Sequence, residues 1–150
     1  MAIEVNRKVA EDLRKASDGS PVDAKLSLQA ALALDKVSRE ATAIRYYERA
    51  LKLGLESDDS YLATVCLVSS LRNVHRYEDA LEAVQIGKER FPNSVVLSIF
   101  GALIRLDNGE PNMAVYELGM LVLTLTLDDM GEGYATIIRS KLRGIKMRRP

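Results

Sequence analysis

A chain of 150 residues, 47% hydrophobic and 28% charged, is long enough to bury a sizeable core as one domain and lacks the polar bias of a disordered segment. Its 21 basic and 21 acidic side chains cancel, which argues against a globally basic nucleic-acid binder and against a strongly acidic solvating protein. The single cysteine cannot close an internal disulfide, and no basic stretch followed by an apolar run opens the chain, so the expected compartment is the cytoplasm.

The first expected element is a helix over residues 3–17. Val5, Val9 and Leu13 stand one above another, with Arg7, Lys8, Glu11, Asp12 and Arg14 around the remainder. Asp18-Gly19 ends it, and Ser20-Pro21-Val22-Asp23 then predicts a new start: a capping serine, proline at the first helical position and a carboxylate three residues on. A first helix pair fills 24–57. Leu26, Ala30, Ala31, Leu34 and Val37 lie on one helix. After a turn near Ser38, Ala43, Ile44, Tyr47, Ala50, Leu51 and Leu53 lie on the other, which Gly54 ends. The polar run 56–60 reads as a connection that caps the next helix.

The second pair occupies 61–94, with Leu62, Val65, Cys66, Leu67, Val68 and Leu71 followed by YEDALEAVQIGKERFPN at 77–93. In that apolar run Cys66 reads as a small buried hydrophobe, not a reactive thiol. The third pair, 95–128, keeps Leu97, Phe100, Ala102, Leu103, Leu106, Ala114, Leu118 and Leu121, and restarts at Glu110-Pro111 after Asn108-Gly109. Arg105 stands there where an apolar residue is expected. Leu123 to Leu127 alternates as a strand would, but a lone strand among helices has no partner for its backbone groups, so helix is expected. The apolar tract 113–127 is too short for a bilayer, which takes roughly 20 residues, and contains Glu117. A last helix, 132–146, should lay Tyr134, Ile138, Leu142 and Ile145 on the third pair as a cap, with Asp128, Asp129 and Glu132 near its start and bases toward its end.

These pairs repeat. Ala43, Ala80 and Ala114 are separated by 37 and 34 residues, as are Tyr47, Val84 and Leu118, then Ala50, Gly87 and Leu121, and upstream Ala31, Val68 and Ala102. Alanine at two levels lets two helices approach, and an aromatic between them fills the space left. The pattern resembles the tetratricopeptide repeat (TPR). From about Leu26 to Leu127, Gly54-Leu55, Ser69-Ser70-Leu71-Arg72-Asn73, Arg76 to Leu81, Phe91-Pro92 and Phe100 to Leu103 resemble a small bacterial tetratricopeptide family, with His75 where glycine usually stands. The resemblance implies an all-α fold: a right-handed superhelical array of three hairpins with flanking N- and C-terminal helices, one domain over 1–150, a protein-binding role and no reaction.

No phosphate-binding glycine loop, HExxH, cysteine pair or nucleophile elbow occurs, and no cofactor or metal is expected. His75 reads as a solvated turn residue, and the pairs Asp58-Asp59 and Asp128-Asp129 as helix-start residues. The candidate site is the concave face, which in stacked pairs is lined by the first helix of each. It takes Leu28, Leu32 and Asp35 from the first pair, Leu62, Val65, Ser69, Arg72 and Asn73 from the second, and Val96, Ile99, Leu103 and Leu106 from the third. Chaperone-binding members of the superfamily grip a terminal carboxylate here with Lys and Asn. The matching positions are Leu28, Leu32, Val65, Ser69, Ile99 and Leu103, so that clamp is missing. The expected partner is a protein or peptide presenting an apolar helix, with Arg72 as the directional donor. A second copy of the chain on the same face is the alternative, and weak anionic-surface or nucleic-acid contact through the bases between Arg139 and Arg149 is a further one. No small-molecule substrate and no membrane contact are expected.

Overall fold

The computed structural model describes residues 2–147, with side chains from residue 4 onward. Within them every element is helical: α1 (Ala2–Gly19), α2 (Ala24–Lys36), α3 (Glu40–Leu53), α4 (Ser57–Asn73), α5 (Tyr77–Arg90), α6 (Val95–Asp107), α7 (Pro111–Met130) and α8 (Glu132–Lys146). The residues cluster into two compact units that divide between Ala83 and Val84, within α5.

The hairpin turns show the repeat most directly. Ser38, His75 and Gly109 are spaced by 37 and 34 residues, and all three have positive φ, 57°, 61° and 78°. The N–H of the next residue reaches back five places in each turn: Arg39 to the Leu34 carbonyl (3.0 Å), Arg76 to Leu71 (2.9 Å) and Glu110 to Arg105 (2.8 Å). The N–H of the positive-φ residue itself reaches back three, from Ser38 to Asp35, His75 to Arg72 and Gly109 to Leu106. That double bond pattern satisfies the last helical carbonyls, and glycine enters a positive φ most cheaply. His75 takes the glycine conformation, so its side chain leaves the turn intact.

The helix starts repeat too. Asp23 accepts the Leu26 N–H (2.8 Å) and Ser94 the Leu97 N–H (3.1 Å). The cap is therefore Asp23 and not Ser20, because α1 runs on to Gly19 and Ser20-Pro21-Val22 is spent on the turn between helices. Four residues inside each start, Ser27, Thr64 and Ser98 donate to the carbonyls of Asp23, Ser60 and Ser94. Ser60 stands where the caps stand in the other two, yet α4 begins earlier, at Ser57. The expected polar connection is thus largely a helical turn, and the Ser60 hydroxyl is buried inside it without a hydrogen-bond partner.

In the first unit the core holds Ala30, Ala31, Leu34, Ala43, Ile44, Tyr46, Tyr47, Ala50, Ala63, Leu67, Val68 and Leu71. The α1 stripe differs from expectation: Val5 and Val9 face solvent, and Ala10 and Ser17 are fully buried. Small residues let α1 lie close on α2, where Ser17 Oγ meets Ser27 Oγ at 3.3 Å.

In the second unit Leu97, Gly101, Ala102, Ile104 and Ala114 are buried. Arg105, at the apolar position, donates to Glu117 (2.6 Å) and Glu110 (2.8 Å), which explains how a cation replaces a hydrophobe between α6 and α7. Leu123 to Leu127 is helical within α7, and Asp128 and Asp129 fall in its last turn, not at the start of α8. α8 packs on α7 through half of the expected stripe: Leu142 is buried against Leu123 together with Ala135, and Ile145 packs around them with Tyr116, Met120, Leu127 and Met130. Tyr134 and Ile138 point to solvent.

Candidate partner-binding faces

In the first unit the proposed face divides into structural and accessible parts. Leu28 is only 4% exposed and packs in the core. Asp35 is half-buried and accepts from Tyr47 Oη (3.1 Å) and Ser70 Oγ (3.3 Å), so one carboxylate ties α2 to α3 and α4. Leu32 lines a shallow trough of about 350 Å³ with Val9, Leu13, Gln29 and Lys36, between α1 and α2. On α4, Leu62 and Asn73 are exposed, and Val65, Ser69 and Arg72 are half-buried.

Burial pushes the Asp35 carboxyl above its ordinary range, against the two hydroxyl donors that favour its charge. The folded chain therefore holds this proton more tightly than the unfolded chain, and stability is lost as pH rises through the unfolded and then the folded value. Asp35→Asn should raise the denaturation midpoint at neutral pH, since the amide carries no charge to bury: its oxygen accepts from one hydroxyl, and its NH2 donates to the other, which stands at the second carboxylate oxygen. The gain should shrink to nothing in acid below the ordinary carboxylate range. A lower midpoint for the variant at neutral pH would contradict this.

In the second unit α6 turns Val96, Ile99, Leu103 and Leu106 to one side at helical spacing. Leu103 is half-buried, and the other three are between 40% and 53% exposed. α7 carries a second stripe that the sequence pattern concealed: Val115, Leu118, Val122 and Leu125, 37% to 59% exposed. A helix apolar all round gives no periodic signal for which side is free. Near it a cleft of about 440 Å³ opens between Lys88, Pro92 and Val95 on one side and Tyr116, Met120 and Leu121 on the other.

A family model described as "Tetratrico peptide repeat" matches residues 24–132, from the first residue of α2 to the first of α8. The chain belongs to the tetratricopeptide-repeat family. No curated protein and no solved structure matches it. The tetratricopeptide match excludes α1 and nearly all of α8, so the two flanking helices are additions to the repeats. Tetratricopeptide domains serve in general as protein–protein interaction scaffolds and are typically non-catalytic.

Other candidate chemistry in this tetratricopeptide chain has structural explanations. His75 is exposed, with Nδ1 2.7 Å from Tyr77 Oη in the turn between α4 and α5. Burial pushes the Cys66 thiol up, away from the reactive thiolate. Of the basic run, Arg139 pairs with Glu132 (3.0 Å), Lys146 lies over the Tyr116 ring (4.8 Å), and Arg148 and Arg149 lie outside the described residues. No helix among the described residues is long and apolar enough to cross a membrane.

Sequence patterning missed a polar cluster where α1 meets the start of α3. Asp18 accepts from Arg14 (2.8 Å) and from Tyr46 Oη (2.9 Å), with Arg49 and Arg45 at 3.6 and 3.7 Å. The buried Tyr46 ring lies between those two guanidiniums, 4.6 and 4.8 Å from its centroid. Arg49 turns inward to the Ser27 and Ser17 hydroxyls. At the outer edge Glu11 accepts from Arg14 and Arg39, and the Arg14 guanidinium holds its carboxyl down at about 2. The visible signal was Tyr46: an aromatic beside Tyr47 on adjacent faces of α3, both fully buried, so that one of them had to face away from the repeat partner.

Proposed function

We propose that the protein is a non-catalytic adaptor, acting in the cytoplasm, that receives an apolar helix or peptide of a partner protein on the exposed faces of its first-of-pair helices. The observation that supports this best is the α6 stripe of Val96, Ile99, Leu103 and Leu106. Apolar side chains at i, i+3, i+7 and i+10 match the face that an amphipathic helix offers, and burying them removes apolar surface at roughly 25 cal/mol per Å². Within the first unit, taken by itself, the trough beside Leu32 and the exposed Leu62 are apolar too.

Association of the chain with itself is the second reading, and the α7 stripe favours it. Val115, Leu118, Val122 and Leu125 follow the alternating three-and-four spacing of a coiled-coil seam. Two variants separate the surfaces. Leu103→Glu should abolish co-purification of the partner while the helical dichroism and the native mass of the free chain stay unchanged. Val122→Glu should leave the partner bound. Loss of association in Val122→Glu alone would move the binding surface to α7 and overturn the adaptor face proposed for α6.

A further inference from the structure

The cluster between α1 and α3 opens outward into a cavity of about 330 Å³ lined by Glu11, Arg14, Arg39, Ala41, Thr42 and Arg45. Three guanidiniums and one hydroxyl border it, against a single carboxylate. Beside it, Asp18 accepts from Arg14 and Tyr46 and lies within ion-pair distance of Arg45 and Arg49, and Arg49 also donates to two neutral serines. Four guanidiniums thus share two carboxylates, which leaves a surplus of two positive charges at the mouth. Arg39 and Arg45 are both exposed; Arg39 shares Glu11 with Arg14, and Arg45 lies over Tyr46 and donates to its hydroxyl, so a bound group draws on guanidiniums that the fold already holds in place.

We propose that this cavity is an anion site for a phosphate monoester. The charge fits: a monoester near neutral pH carries about −1.5 to −2, which offsets the surplus, whereas one carboxylate would leave half of it. The donors fit as well. Guanidinium forks pair bidentately with phosphoryl oxygens, and Thr42 adds a hydroxyl in the first turn of α3, at the positive end of that helix. The site lies on α1 and α3, whereas the apolar face proposed for partner helices lies on α2, α4 and α6, so either can exist without the other.

The same chemistry is presented by a phosphorylated side chain of a partner or by a small phosphate, and titration of the full chain at low ionic strength distinguishes them. The probes are inorganic phosphate, a phosphoserine peptide and its unphosphorylated counterpart, followed through the amide and arginine Nε–H resonances. Saturable shifts at Arg14, Arg39, Arg45 and Thr42 are expected with the phosphate-bearing probes and not with the plain peptide. Saturation by the phosphopeptide alone assigns the source to a partner protein, and saturation by inorganic phosphate alone assigns it to a small molecule. The double variant Arg39→Gln/Arg45→Gln should weaken binding roughly tenfold or more while the helical dichroism stays that of the folded chain. Glu11→Gln should do the opposite and tighten it, because it removes the carboxylate that competes for Arg14 and Arg39. A merely structural ion cluster would give neither the gain nor the loss. Non-saturable shifts with every probe, or equal affinity in wild type and both variants, would overturn the proposal.

Discussion

Replacing Tyr47 by alanine is expected to cost about 3–5 kcal/mol, enough to bring the first unit close to unfolding, since whole domains are stable by only about 5–15 kcal/mol. Tyr47 is fully buried on α3, and its hydroxyl is one of two that satisfy the half-buried Asp35 carboxylate. Truncation opens a cavity the size of the ring and withdraws a donor at the same point. Tyr47→Phe isolates the second part and should cost about 0.5–1.5 kcal/mol. Leu53→Ala, at an exposed position of the same helix, should change little. Denaturant midpoints decide, and similar shifts for Tyr47→Ala and Leu53→Ala would show that the ring is not the centre of that core.

The second large effect is expected at Gly119. A Cβ there would lie 2.5 and 2.8 Å from the two methyls of Leu142, so a side chain at this position fits only if Leu142, buried against α7, gives way. Glycine inside a helix ordinarily costs about 1 kcal/mol relative to alanine. Gly144 has nothing within 4 Å of its own Cβ position, and Gly144→Ala should therefore stabilise α8 by up to about 1 kcal/mol. Gly119→Val should instead overpack the crossing and cost about 1–3 kcal/mol, displacing α8 from Leu123 and Met120. Leu142→Ala removes the obstructing methyls, so the double variant should lose less than the two single variants added together. Strict additivity in the melting data would place Gly119 and Leu142 apart.

The repeat architecture was legible because it is written twice over, in apolar periodicity and in the 37- and 34-residue spacings of Ala43, Ala80 and Ala114, all of them buried. Where reading by size failed, it failed in one direction. On α1 and α8 the bulky residues Val5, Val9, Tyr134 and Ile138 were expected in the packed stripe and are exposed, while Ala10, Ser17 and Ala135 are fully buried; of the expected α8 residues, Leu142 and Ile145 do pack. Close approach rewards small side chains, and these carry little hydrophobic signal. Of the proposed face, the exposure of Leu62, Val96, Ile99 and Leu106 was legible from their helix positions. Leu28 and Asp35 were not separable from them, since which side of α2 meets α4 depends on a distant segment. The arginine cluster showed only one member, Tyr46, for the same reason: Glu11, Asp18, Arg39 and Arg45 come together only through folding.

The early start of α4 bears on how such an array changes length. Its first pair is three residues longer than its second, and three residues inserted inside a helix would rotate everything beyond them by about 300°, turning a packed face toward solvent. Placed ahead of the Ser60 position, where α4 gains its turn from Ser57, the same residues leave the phase of every later side chain unaltered. Val68 and Leu71 keep the orientation of their counterparts Ala31 and Leu34, and all four are buried. The Ser60 hydroxyl, at the position where the other two pairs place their cap, is thereby left inside the helix, buried and without a hydrogen-bond partner.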